Sequence, residues 1–298
     1  MLEGGYKLFE YMYKVPQNEY KTTYGALKVS NIVFEPGEIE RVLPDIVFTD
    51  DNLKHMFAEE NLNLNKRRNI YRRFIPKDEM LPDINTFVAS NILTNRSFYS
   101  FLAEGILGLV FRDLYDLDLA KGIIDITETL SDSHTGVDAC LYNLNHNIIV
   151  LGEAKFYENL SGGMDKIIKD FVEKSIKNKL ESLQANVENC DEAIQIVIKN
   201  LKMEEYDELT IDQFMNQKIV FAGFVLHSEN DVSHYNEPNF YNRYFVSTSQ
   251  LKDNINKSLN HNDINGEYEI ILVHLPIKDK KSLIVKMIET SREKLRSL

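Results

Sequence analysis

Asp138, Glu153 and Lys155 are the side chains whose types and spacing could do chemistry; they lie in residues 136–157, GVDACLYNLNHNIIVLGEAKFY. Val137, Ala139 and Leu141 alternate with Asp138, Cys140 and Tyr142. After NLNHN, Ile148, Val150, Gly152, Ala154 and Phe156 alternate with Ile149, Leu151, Glu153 and Lys155. Period-two alternation predicts two strands folded back on each other. A reversal centred between Asn145 and His146 sets Asp138 directly opposite Glu153. Side chains so opposed have Cβ atoms about 5 Å apart, and Lys155 projects from the same face as Glu153. Two carboxylates that close repel unless a cation sits between them. Hard divalent ions such as Mg²⁺ favour carboxylate oxygen, so the trio reads as a metal-dependent active site.

The elements around the hairpin must position it. Residues 97–117, SFYSFLAEGILGLVFRDLYDL, form the strongest helix signal, apolar nearly all round over the first four turns, which predicts burial against a sheet. Glu104 is the one ionisable side chain in that run. A lone buried carboxylate is costly unless paired, metal-bound or protonated, so Glu104 is expected at the site rather than on an exposed edge. Gly105 and Gly108 permit close backbone approach, expected here to the catalytic strands. Residues 121–130 predict a strand before the hairpin. After Phe156, ENLSGG reads as a linker into a helix over 164–186, where five lysines against three acids over 164–180 make Lys166 and Lys169 weak candidates for phosphate contact.

The rest of the chain supports a core. KIVFAGFVLH, 218–227, and YEIILVHLPI, 268–277, read as strands buried on both faces. The polar, aromatic segment SENDVSHYNEPNFYNR between them reads as a long loop, and residues 282–297 as an amphipathic helix capped by Ser282. Residues 1–48, with Pro16, Pro36 and Pro44, read as strands and loops, including an apolar run at 45–48. A helix is expected over 50–62. LNKRRNIYRRF follows, with Lys66, Arg67, Arg68, Arg72 and Arg73 around Tyr71: a surface for nucleic acid or an acidic partner, or simply a solvated helical face. The expected division is an N-terminal α/β region over 1–95, a core over 96–230, and a completing loop, strand and helix over 231–298.

Composition bounds the function. An apolar fraction of 43% across 298 residues is that of a folded globular chain. Glu3 and Glu10 interrupt what a signal peptide would keep apolar, and no run spans a bilayer, so no membrane role is expected. Cys140 and Cys190 make no disulfide framework or zinc spacing, which suits a reducing cytoplasm. The net charge of −12 opposes phosphate backbones. A metal, a local basic groove or a basic partner must therefore help the chain reach a polyanion.

The order helix, strand, strand, strand, helix, strand, with Glu104 on the helix, Asp138 on the second strand and Glu153-Ala-Lys155 on the third, resembles the PD-(D/E)xK superfamily over about 97–227. The acid-x-Lys triplet alone is common, since Glu19-Tyr-Lys21 and Asp279-Lys-Lys281 also occur here. The combination on an apolar strand is far more specific. Within that superfamily, FLAEGILGLVF, GVD and LGEAKF resemble the HamA nuclease subunits of Hachiman anti-phage defence systems. The resemblance implies an α/β fold with a restriction-endonuclease-like core carrying N- and C-terminal α/β additions. It implies a deoxyribonuclease that uses Mg²⁺, with Mn²⁺ as a substitute, held by Asp138, Glu153 and the Ala154 carbonyl. Glu104 would bind a second ion or orient a water, and Lys155 would position the nucleophile. The implied partners are DNA and a HamB-type helicase subunit that holds the nuclease in check. Two readings stand against it: a nuclease-like scaffold that binds a helicase or DNA without cutting, and a self-sufficient restriction or repair enzyme.

Overall fold

The computed structural model describes residues 7–56, 61–75, 96–115, 139–143, 148–171, 218–237, 239–261 and 267–298. The elements expected at 121–130, 172–186 and 191–202 lie outside the described residues. In chain order the elements are β1 (Phe9–Gln17), β2 (Thr22–Val29), α1 (Glu38–Val47), α2 (Asp50–Met56), α3 (Leu64–Arg73), α4 (Arg96–Tyr115), β3 (Ala139–Asn143) and β4 (Ile148–Tyr157). Then come α5 (Leu160–Asp170), β5 (Lys218–Ser228), α6 (Phe245–His261), β6 (Tyr268–Ile277) and α7 (Lys280–Arg296).

Among the described residues the strands form one six-stranded mixed sheet in the order β1-β2-β6-β5-β4-β3. The outer pairs, β1/β2 and β3/β4, are antiparallel, whereas β2/β6, β6/β5 and β5/β4 are parallel. The central strands are apolar on both faces, as parallel strands covered by helices must be. On β5, Val220, Ala222, Phe224 and Leu226 enter one core, which α1, α2, α3, α4 and α7 cover. Ile219, Phe221 and Val225 enter a second core under α5 and α6. The result is a sheet between two helical layers. The N-terminal hairpin joins it directly, since β2 pairs with β6.

Two long-range fastenings secure that union. Asp113 of α4, fully buried, accepts from the backbone N–H groups of Leu8 and Phe9 at 2.6 and 2.9 Å and so pins the start of β1. Tyr24 of β2 stacks on Tyr241 at 5.1 Å between ring centroids and bonds Thr248 of α6 at 2.8 Å.

Several expectations are corrected. The run at 45–48 is not a strand. It ends α1, where Ile39, Leu43 and Val47 recur at helical spacing on the buried side and Pro44 is accommodated inside the helix. The linker after Phe156 contains the first turn of α5: Asn159 caps it by accepting from the Gly162 N–H at 2.8 Å. The loop after β5 holds two 3₁₀ turns, 233–236 and 240–244, and runs into α6, a helix the sequence reading did not anticipate. α7 begins earlier than expected, capped by Asp279 through the Lys281 N–H rather than by Ser282. Gly105 and Gly108 admit α2, not the catalytic strands. A Cβ at 105 would stand 2.1 Å from the Met56 methyl, and the Gly108 carbonyl lies 3.2 Å from His55 Nε2. Among the described residues no helix is long and apolar enough to cross a membrane.

Candidate active site

β4 is the strand that makes the site, through its alternation. Val150, Ala154 and Phe156 point into the core shared with α4. Leu151 points into the core shared with α5, and strand periodicity puts Glu153 and Lys155 on that same side. An otherwise apolar strand thus delivers two charged groups to the α5 face. Glu153 is 8% exposed, a burial that a carboxylate tolerates only with compensation.

The compensation is local. Lys155 Nζ donates to Glu153 Oε1 at 2.5 Å and lies 3.2 Å from Asp170 Oδ2 on α5. Asp170, 7% exposed, also accepts from Lys166 Nζ at 2.6 Å, one helical turn back. Burial alone would raise the Asp170 carboxyl, but the Lys166 hydrogen bond and the Lys155 charge outweigh it and hold the group below the ordinary carboxylate range. The four groups form an acid–lysine chain running from β4 to α5: Glu153, Lys155, Asp170, Lys166.

Backbone packing explains why α5 comes so near. Gly223 of β5 is the register partner of Glu153, and a Cβ there would stand 2.7 Å from both Ile167 Cγ2 and Leu272 Cδ2. Gly163 of α5 faces Val225, the register partner of Lys155; a Cβ on it would meet Val225 Cγ1 at 2.4 Å. The two glycines let helix and sheet close together over the charged pair. The far end of β4 is fastened by Lys280, the first residue of α7, whose Nζ donates to the Phe156 carbonyl at 3.3 Å. Burial lowers the pKa of that ammonium.

The hairpin register is the one the turn predicts: Ala139 pairs with Gly152, Cys140 with Leu151, Leu141 with Val150, Tyr142 with Ile149 and Asn143 with Ile148. Asp138 lies outside the described residues. Glu153 and Lys155 are brought together as expected, with Ala154 between them facing the opposite core. Glu104 is half-buried on α4, the helix covering the opposite face of β4 from Lys155. Lys166 is committed to Asp170, and Lys169 is exposed on α5. Arg67 is likewise committed, donating to both Asp50 carboxylate oxygens at 2.7 and 2.6 Å, while Arg68 and Arg72 are exposed on α3.

Asp170 is the residue that sequence reasoning missed. Its signal was present: it sits three residues after Ile167 and just before Phe171, on the buried stripe of its helix, where an acid requires a partner. Among the described residues no group of three or more His, Cys, Asp or Glu side chains could hold a metal ion. What they do supply on β4 is a buried hard-oxygen donor already facing a cation, Glu153, which suits a divalent metal once a second carboxylate joins it.

A family model described as HamA matches residues 41–290. No curated protein and no solved structure matches the chain.

Proposed function

The chain belongs to the HamA family, and from that premise we propose that it is a component of a Hachiman anti-phage defence system and hydrolyses DNA phosphodiesters as the nuclease subunit of a helicase–nuclease complex. The observation that carries the reading is the buried Glu153–Lys155 pair on β4, an acid-x-Lys triplet on an apolar strand whose hairpin register is the one the trio requires.

Glu153, Asp138 and the Ala154 carbonyl would hold a Mg²⁺ or Mn²⁺ ion, while Glu104 lies across the sheet on α4, a placement that does not support the water-orienting or second-ion role expected of it. A bound ion would supply Lewis-acid activation of the phosphoryl oxygen and a lower pKa for water. Lys155 does the remaining electrostatic work: its ammonium positions the nucleophile and offsets charge building on the pentacovalent phosphate. The buried, low-dielectric setting of Glu153 strengthens each of these interactions relative to water. A HamB-type helicase would deliver DNA to this acidic chain.

The test is plasmid nicking in Mg²⁺, with and without the co-expressed helicase. Glu153→Gln and Lys155→Ala are expected to lower cleavage by at least about 100-fold, the cost of a lost transition-state charge contact, with circular dichroism unchanged. EDTA should abolish cleavage in the parent chain. Normal cleavage by either variant would remove the assignment, and binding without cleavage by the parent chain would favour a scaffold.

A further inference from the structure

We infer that Asp170 is a positioning residue: it anchors the Lys155 ammonium on the α5 side and so leaves the Glu153 carboxylate available to a metal ion. The inference deepens the nuclease reading and rests on it.

Lys155 stands between two carboxylates from different elements, 2.5 Å from Glu153 Oε1 and 3.2 Å from Asp170 Oδ2. An ammonium at hydrogen-bond distance from Glu153 competes with any cation that needs the same oxygen. For Glu153 to serve a metal, the ammonium needs another acceptor on its own side of the site. Asp170 is that acceptor. It is buried, already shaped to receive a second ammonium through Lys166, and carried on a helix pressed against the sheet by Gly163 and Gly223. Among the described residues, Glu153 from its own strand and Asp170 from α5 face Lys155, Lys166 meets the same Asp170, and the register partner of Lys155 on β5 is the neutral Val225. Partners one step removed from a metal ligand commonly govern affinity as strongly as this arrangement implies.

The experiment is Mn²⁺ binding to the full chain without DNA, followed by electron paramagnetic resonance at fixed pH. Asp170→Asn is expected to weaken binding by about 10–100-fold relative to the parent chain, as loss of a partner behind a metal ligand does. With Lys155→Met there is no ammonium to divert, so Asp170→Asn added to that background should leave affinity unchanged. This second comparison stands even where Asp170→Asn alone fails to fold, because both of its members lack the same ammonium beside Glu153, Asp170 keeps Lys166 in the first, and Lys166 can turn to solvent in the second. Equal binding by the parent chain and Asp170→Asn overturns the inference. So does an equal loss in both backgrounds, which would mean that Asp170 touches the ion itself. Absence of Mn²⁺ binding in the parent chain overturns the metal reading of the site as a whole, and it is seen before any variant is compared.

Discussion

His227, His274 and Tyr241 make a buried chain in which every proton is assigned by its neighbour. The Ser228 carbonyl can only accept, so His227 Nδ1, 3.0 Å away, carries the hydrogen. His227 Nε2 must then accept from His274 Nδ1 at 3.0 Å, and His274 Nε2 from the Tyr241 hydroxyl at 2.8 Å. Both rings are neutral, and a further proton on either would set hydrogen against hydrogen. Burial pushes His227 down to about 4 and His274 well below its ordinary value. Between pH 6.5 and 4 the unfolded chain therefore binds protons that the folded chain refuses. Stability is complete above about pH 6.5 and falls as pH drops toward 4, by about 3 kcal/mol for His227. Urea titrations across that range should show the decline, and Tyr241→Phe should cost about 1–3 kcal/mol by leaving His274 Nε2 without a donor. None of this could be read from sequence. His227 and His274 sit within apolar runs 47 residues apart, and only the parallel register of β5 and β6 joins them. Glu153 and Lys155 were legible because a strand's own periodicity places them on one face. Asp170 was not, because its partner Lys155 lies on a different element.

Among elements, the register of β3 on β4 was legible over 139–143 and 148–152 because turn and alternation agree. Their placement at the sheet edge depends on strands far away in sequence. α1 was missed because Pro44 argues locally against a helix, and its packing on α7 overrides that preference. α6 was missed because FVSTSQLKDNINKSLNH is rich in Ser, Thr and Asn, which favour turns; its identity lies in Leu251 and Ile255, both fully buried one turn apart. The contact of α5 with the sheet is the element on which the site depends. Gly223→Ala is expected to cost about 1–3 kcal/mol, as overpacking does, because Ile167 and Leu272 both stand in the way. A fall in the urea midpoint together with reduced Mn²⁺ affinity would confirm that this closeness serves the charged chain as well as the fold.

At the scale of the whole molecule, charge and partnership belong together. A net charge of −12 makes the isolated chain a poor ligand for DNA. Its affinity should lie no tighter than the roughly 1–100 µM range of non-specific binding at physiological salt, as measured by fluorescence anisotropy, and under the proposed function a co-expressed helicase should tighten it. Arg68→Glu with Arg72→Glu reverses the exposed basic side chains of α3 and tests whether that helix contributes; complex formation or DNA affinity should fall if it does, and neither should change if it is a solvated face.

The sheet order has one more outcome. β6 lies between β2 and β5, so among the described strands the N-terminal hairpin and β4, which bears Glu153 and Lys155, are not joined in one sheet until residues 268–277 arrive. During synthesis on the ribosome, those two parts wait for a wedge that follows both of them in sequence, and long-range pairing of this kind is slow to form. Under the proposed nuclease function this order is a built-in delay: a polypeptide that stops short of β6 lacks the keystone and has no assembled blade to turn on its host's chromosome.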